Sequence, residues 1–186
     1  MTATTAPLGT TTALPAIDDI RIYVACLAAY NNGRLHGRWI DAARGEAHIW
    51  DETRAMLAAS PEPEAEEWAI HDYEGFEGAP IGEYSSFETV AALAEFIAER
   101  GALGGKLLAH YGGELEDAQK AFDEYCGEYE SLADYAEQFF EDTGQPVPKY
   151  LEPYIDWKAV GRDFEYSGDI FTIETGYNQT HVFRSW

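Results

Sequence analysis

Apolar and polar positions along this chain follow two periods in turn, and the changes of period mark out its elements. Ile20 to Leu27 (IRIYVACL) is apolar and partly β-branched, as a strand requires. Asn31, Asn32 and Gly33 tolerate left-handed backbone angles and mark a loop, after which His36 to Asp41 reads as the second strand of a long-looped hairpin. Glu46 to Ala59 sets Ile49, Trp50, Thr53, Met56 and Leu57 at helical spacing and stops at Ser60 and Pro61. Trp68 to Tyr73 reads as a third strand beside the first two. Gly75, Gly78, Pro80 and Gly82 then give a loop that closes a small α+β unit at about Tyr84.

Helical spacing dominates next. Ser85, three residues before Glu88, has the form of a capping box for a helix over Phe87 to Arg100, with Val90, Leu93, Ala94 and Ile97 inward and Gly101 as its end. The run Gly101 to Gly105 (GALGG) reads as a flexible joint, and Lys106 to Tyr111 as one or two helical turns. Leu115, Ala118, Phe122 and Tyr125 form one apolar stripe, and Leu132, Tyr135, Ala136, Phe139 and Phe140 a second. These predict two helices, ended by Gly127 and Gly144, with Glu114, Glu116 and Asp117 in the first turn of one and a Ser131/Asp134 capping box opening the other. Gln145 to Lys149 holds two prolines and reads as extended. Ile155 to Phe164 is a short helix, and Asp169 to Glu174 and His181 to Arg184 are strands joined by a turn at Gly176, Tyr177 and Asn178. The fold class is α+β, in three units: 18–84, a helical 85–127, and a mixed 128–186. Residues 1–17, rich in Thr, Ala and Pro, read as a disordered tail with no signal peptide.

Charge changes the picture at Leu107 to Asp142. This stretch of 36 residues holds eleven carboxylates (Glu114, Glu116, Asp117, Asp123, Glu124, Glu128, Glu130, Asp134, Glu137, Glu141 and Asp142) against one base, Lys120. An acidic tail would lack the large side chains of the two stripes, so these acids belong to folded helices. As one continuous helix the stretch would span about 54 Å, with a carboxylate every 5 Å or so; packed side by side, its halves would present one every 2.5 Å or so. Duplex DNA carries one phosphate per about 1.7 Å of axis, so a phosphate-binding groove would meet a charge density of the same order.

The whole chain has 34 acids, 12 bases and a net charge of −22, which repels nucleic acid and anionic membranes and favours cationic partners. The excess is uneven. Residues 20–61 hold four acids and five bases, and residues 62–186 hold 28 acids and seven bases. A protein acidic only for solubility would spread its carboxylates over every face. Two cysteines, Cys26 and Cys126, are too few for a disulfide framework and suit a reducing cytoplasm. No apolar run approaches the roughly 20 residues of a membrane span.

Familiar catalytic patterns do not emerge. The five histidines show no i, i+4 pair, the cysteines form no CxxC, and no nucleotide-binding glycine loop or GxSxG elbow occurs. His71 beside Asp72 would point to the opposite strand face, so it reads as structural. With so many acids, some pair always sits at a glycosidase-like separation, and this carries no weight. The expectation is no enzyme, no metal and no cofactor. The aromatics Phe122, Tyr125, Tyr129, Tyr135, Phe139 and Phe140 read as core, or as a dimer contact where exposed, since neighbouring acids oppose base stacking.

Four ordered stretches, IRIYVACLAAYNNGRLHGRWID, EEWAIHDYEGF, LADYAEQFFEDTG and LEPYIDWKAVGRDFEYSG, resemble the ArdA family of antirestriction proteins, a likeness extending from about Ile20 to Phe183. That resemblance implies an elongated, curved rod of three small domains which dimerises. It also implies a DNA mimic that occupies the DNA groove of the methyltransferase core of type I restriction-modification enzymes, blocking restriction and often modification. The family motif assigns no individual contacts, so the eleven acids of Glu114 to Asp142 are nominated on charge density. The other reading is an acidic binding partner or chaperone for a basic protein, such as a nucleoid protein.

Overall fold

A computed structural model describes residues 19–144 and 147–185. The predicted tail at 1–17, and Gln145 and Pro146 of the segment expected to be extended, lie outside the described residues. What remains is α+β: two three-stranded antiparallel sheets with six helices.

The first sheet has the order β2-β1-β3, formed by β1 (Arg21–Cys26), β2 (Gly37–Asp41) and β3 (Trp68–Glu74). The short helix α1 (Leu27–Asn31) follows β1 directly, where the sequence suggests only strand and loop. Register puts Ile22 opposite Ile40 and Val24 opposite Ile70, so one face of the sheet is apolar and buried. Helix α2 (Glu46–Ala58) covers that face with Ile49 and Met56. On the other face the Arg21 guanidinium lies 4.9 Å from the centre of the Trp39 ring. A bulge in the β1/β3 pairing sets His71 aside from the ladder, exposed and edge-on to Tyr30 at 4.7 Å.

Helix α3 (Phe87–His110) is longer than predicted. Ser86, not Ser85, is its cap, accepting from the Thr89 amide at 3.1 Å; the Ser85 hydroxyl is turned back to accept from the Gly82 amide. Gly101 does not end the helix but kinks it, at φ 65° and ψ −155°, a conformation essentially confined to glycine. The expected flexible joint is in fact buried: Gly101, Leu103, Gly104 and Gly105 all lie inside. A Cβ on Gly105 would collide with the Glu77 side chain and come within 3.0 Å of the Phe76 carbonyl oxygen. The glycines therefore serve close packing, with the second half of α3 set against the loop after β3. Lys106 ties the same helix to the second sheet by donating from Nζ to the Glu174 carbonyl at 2.7 Å.

The second sheet has the order β4-β6-β5, formed by β4 (Tyr125–Tyr129), β5 (Ile170–Gly176) and β6 (Gln179–Arg184). Its two faces are both covered, which explains why four successive residues of β6, Thr180 to Phe183, are buried. Phe171 and Phe183 stack at 5.0 Å on the face toward α3 and α4 (Leu115–Asp123), where Phe122 meets Phe183 edge-on at 6.0 Å. Ile170 and Val182 face α5 (Leu132–Asp142) and α6 (Trp157–Ser167) in a second core with Tyr135, Phe139 and Phe164. Helix α6 approaches α5 closely because Gly161 has no side chain: a Cβ there would lie 2.7 Å from the Leu132 carbonyl oxygen.

Candidate functional site

The acidic stretch is helix, strand, helix. The periodicity gives no sign of β4, and Tyr125 and Gly127, expected on and at the end of a helix, belong to that strand. Neither a continuous rod nor a side-by-side pair therefore forms: α4 and α5 lie on opposite faces of the second sheet. Within each helix the acids remain dense. Glu114, Glu116, Asp117, Asp123 and Glu124 fall within eleven residues of α4 and its caps, and Asp134, Glu137, Glu141 and Asp142 within nine of α5. Each set amounts to a carboxylate per roughly 3 Å of axis. Glu128 projects from β4, and Glu130 follows it. All eleven are exposed except Glu124, which is half-buried.

Local physics accounts for some of these positions and not for others. Glu114 is the N-cap residue of α4, and Glu116 and Asp117 sit in its first turn, where negative charge complements the helix dipole. Ser131 caps α5, its hydroxyl donating to Asp134 Oδ2 at 2.6 Å and accepting from the Asp134 amide at 3.4 Å. At the other ends the sign is wrong. Asp123 and Glu124 close α4, where Lys120 is the basic residue of the last turn, and Glu141 and Asp142 close α5, whose last turn has none. Carboxylates at a helix C-terminus cost about 0.3–1 kcal/mol each. Four such placements oppose the stability of the fold.

A bulge in β4 settles which aromatics face which helix. Tyr125 pairs with Phe183 but Gly127 with Val182, so the register slips between them and the later residues turn to the other face. Tyr125 thus meets Phe183 and Phe122, whereas Tyr129 meets Tyr135 of α5 at 5.2 Å. Of the predicted core aromatics, Tyr135 is buried, Phe122, Tyr129, Phe139 and Phe140 are half-buried, and Tyr125 is partly exposed. Burial pushes the phenols of Tyr125 and Tyr135 up to about 12. Tyr125 also faces buried His181, whose Nδ1 lies 2.8 Å from the tyrosine hydroxyl and whose Nε2 lies 2.9 Å from Thr175 Oγ1. Burial lowers the His181 pKa, with Glu128 pulling weakly the other way.

A cavity of about 420 Å³ lies beside the bulge, lined by residues from the last turns of α4 and α5 and from β4. Asp123 and Glu124 from one end of the stretch and Asp142 from the other line it together, a grouping no local spacing in the sequence could reveal. Among the described residues, no group of three or more His, Cys, Asp or Glu is placed to hold a metal ion. Both cysteines are free thiols. No helix among them is long and apolar enough to cross a membrane.

Compared with known families, residues 22–179 match the model of a family described as antirestriction protein (ArdA). No curated protein matches the chain.

Proposed function

Since the chain belongs to the ArdA family of antirestriction proteins, we propose that it inhibits type I restriction-modification enzymes by presenting fixed carboxylates to the DNA-binding groove of their methyltransferase core. The observation that carries this reading is the set of four carboxylates closing α4 and α5 against the helix dipoles. Solubility alone does not call for charge where it opposes the fold, whereas a surface meant for basic side chains does. A groove that neutralises phosphates gains affinity by releasing DNA counterions, and helix-borne acids at comparable density compete for the same Lys and Arg side chains. Because the acids ride on packed helices, they lose less freedom on binding than a loose acidic segment would. No base edges are displayed, so recognition follows backbone charge and is indifferent to DNA sequence.

The same reading has the molecule act as an elongated homodimer of three-unit chains, with α4, β4 and α5 of each copy in the groove. Helix α3, packed on α2 and the helical turn after β2 in the first unit and on β5 of the second sheet, gives it stiffness.

Competition tests the proposal. A purified methyltransferase core bound to labelled DNA should release it as this protein is added, with an inhibition constant that weakens steeply between low and moderate salt. In a restricting host, the protein should protect unmodified phage DNA. Inhibition indifferent to salt, or absent, would overturn the reading.

A further inference from the structure

We propose that the cavity at the β4 bulge is a socket for a single guanidinium side chain of the bound enzyme, so that the charged interface includes one buried anchor. This rests on the inhibitory reading above and deepens it by naming a particular contact.

The cavity's walls are aromatic. Tyr129, Tyr135 and Phe139 line it, with Tyr129 and Tyr135 edge-on at 5.2 Å and Tyr135 and Phe139 tilted at 6.1 Å, and half-buried Tyr129 and Phe139 are the rings within reach of a cation entering it. Its polar lining is anionic: Asp123, Glu124 and Asp142 are opposed only by Arg184, three acids to one base. Both α4 and α5 end at the cavity, with Glu124 and Thr143 as their C-caps, so the negative poles of two helix dipoles lie beside it. At about 420 Å³ it is within the roughly 300–1,000 Å³ of small-ligand pockets, and it is open to solvent. Carboxylates without walls would make a diffuse charge patch, and rings without carboxylates an apolar dimple. Together they select a cation with flat faces, which describes arginine better than lysine.

This differs from mimicry of the DNA backbone, since a phosphate offers no aromatic faces. An arginine that reaches a DNA phosphate would here be held more fully desolvated than on the duplex.

The full-length protein, labelled for NMR, would be titrated with N-acetyl-arginine amide and with its uncharged isostere N-acetyl-citrulline amide, ionic strength being held constant with sodium chloride. The arginine derivative should shift the Tyr129 and Phe139 ring signals and the Thr143 amide along a saturating curve, and the citrulline derivative should not. Thr143 lines the cavity yet is exposed, so the bulk of Thr143→Trp should obstruct it with the charge unchanged, at the loss of one hydrogen bond from the threonine hydroxyl to the Phe139 carbonyl. That variant should lose the saturating response and inhibit the methyltransferase core about tenfold less well, with the log–log salt dependence flattened by about one for the ion pair lost. Equal, non-saturating shifts from both probes would overturn the socket, as would a Thr143→Trp variant that inhibits like the parent. If the parent itself fails to displace DNA while the arginine derivative still saturates, the inhibitory reading falls, and with it the enzyme as the socket's partner, while guanidinium binding at the cavity stands.

Discussion

The first sheet and the α4–β4–α5 segment treat charge in opposite ways. Around the first sheet, Arg21 pairs with Glu74, Arg34 with Glu62, Arg38 with Glu52 and Arg54 with Asp51, so four of the five bases before Pro61 are held by nearby acids. Between Glu114 and Asp142, eleven acids share a segment with one base, and several sit where the helix dipoles disfavour them. One region is arranged for its own stability at the surface. The other gives up stability to show a charge outward.

The largest test of that contrast is charge reversal. Changing Asp134, Glu137 and Glu141 together to Lys should weaken inhibition of the methyltransferase core by more than about a hundredfold, and should flatten the log–log salt dependence by about one for each ion pair removed from the complex. The same reversal at exposed Glu64, Glu66 and Glu67, beside the first sheet, should cost less than about tenfold. Equal losses would erase the distinction.

Stability tests follow at smaller scale. Gly105→Leu should lower unfolding free energy by about 1–3 kcal/mol in urea titrations, since its side chain has nowhere to go between Glu77 and Phe76. An unchanged midpoint would mean that α3 does not pack closely on the loop after β3. Ser131→Ala removes the α5 cap and should cost about 1 kcal/mol by the same measurement. A loss confined to this value would show that the acidic helix depends on its cap like any other, despite the unfavourable charges at its far end.

The smallest effect separates the regions by pH. His181 is held neutral by burial, so its folded pKa lies below the unfolded value of about 6.5 and the unfolded chain takes the proton first as pH falls. Stability from this group is complete above that value and is lost below it. Glu52, lowered chiefly by its hydrogen bond from Arg38, acts later, its contribution lost as pH falls below the ordinary carboxylate range. Melting temperatures of His181→Asn measured from pH 7 to pH 3 should lack the decline near pH 6 while keeping the one at lower pH. A profile parallel to that of the parent would remove His181 from the account.

Much of this architecture can be read locally. The strands β1, β2 and β3, the helices α2 and α5, and the Ser131 cap follow from periodicity and turn residues within a residue or two. β4 cannot be read this way. Phe122 and Tyr125 continue a helical spacing, and only pairing with Phe183, 58 positions away, makes Tyr125 a strand residue. Gly127 resembles a helix end because glycine serves both there and at φ 126° beside a bulge. The GALGG run misleads for a related reason, since small residues give freedom in solvent and close contact in a core. As for the site, every acid is visible in the chain. Their division between two sheet faces, and the meeting of Asp123 with Asp142, are set by a sheet whose middle strand comes last.

That middle strand governs the order of assembly. β6 bonds to both β4 and β5 yet follows them in the chain, so a nascent polypeptide halted at Asn178 has two strands with nothing to join them. Until Gln179 to Arg184 emerges from the ribosome, α4 and α5 have no common sheet to flank, so the placing of the acids on its two faces waits for that strand.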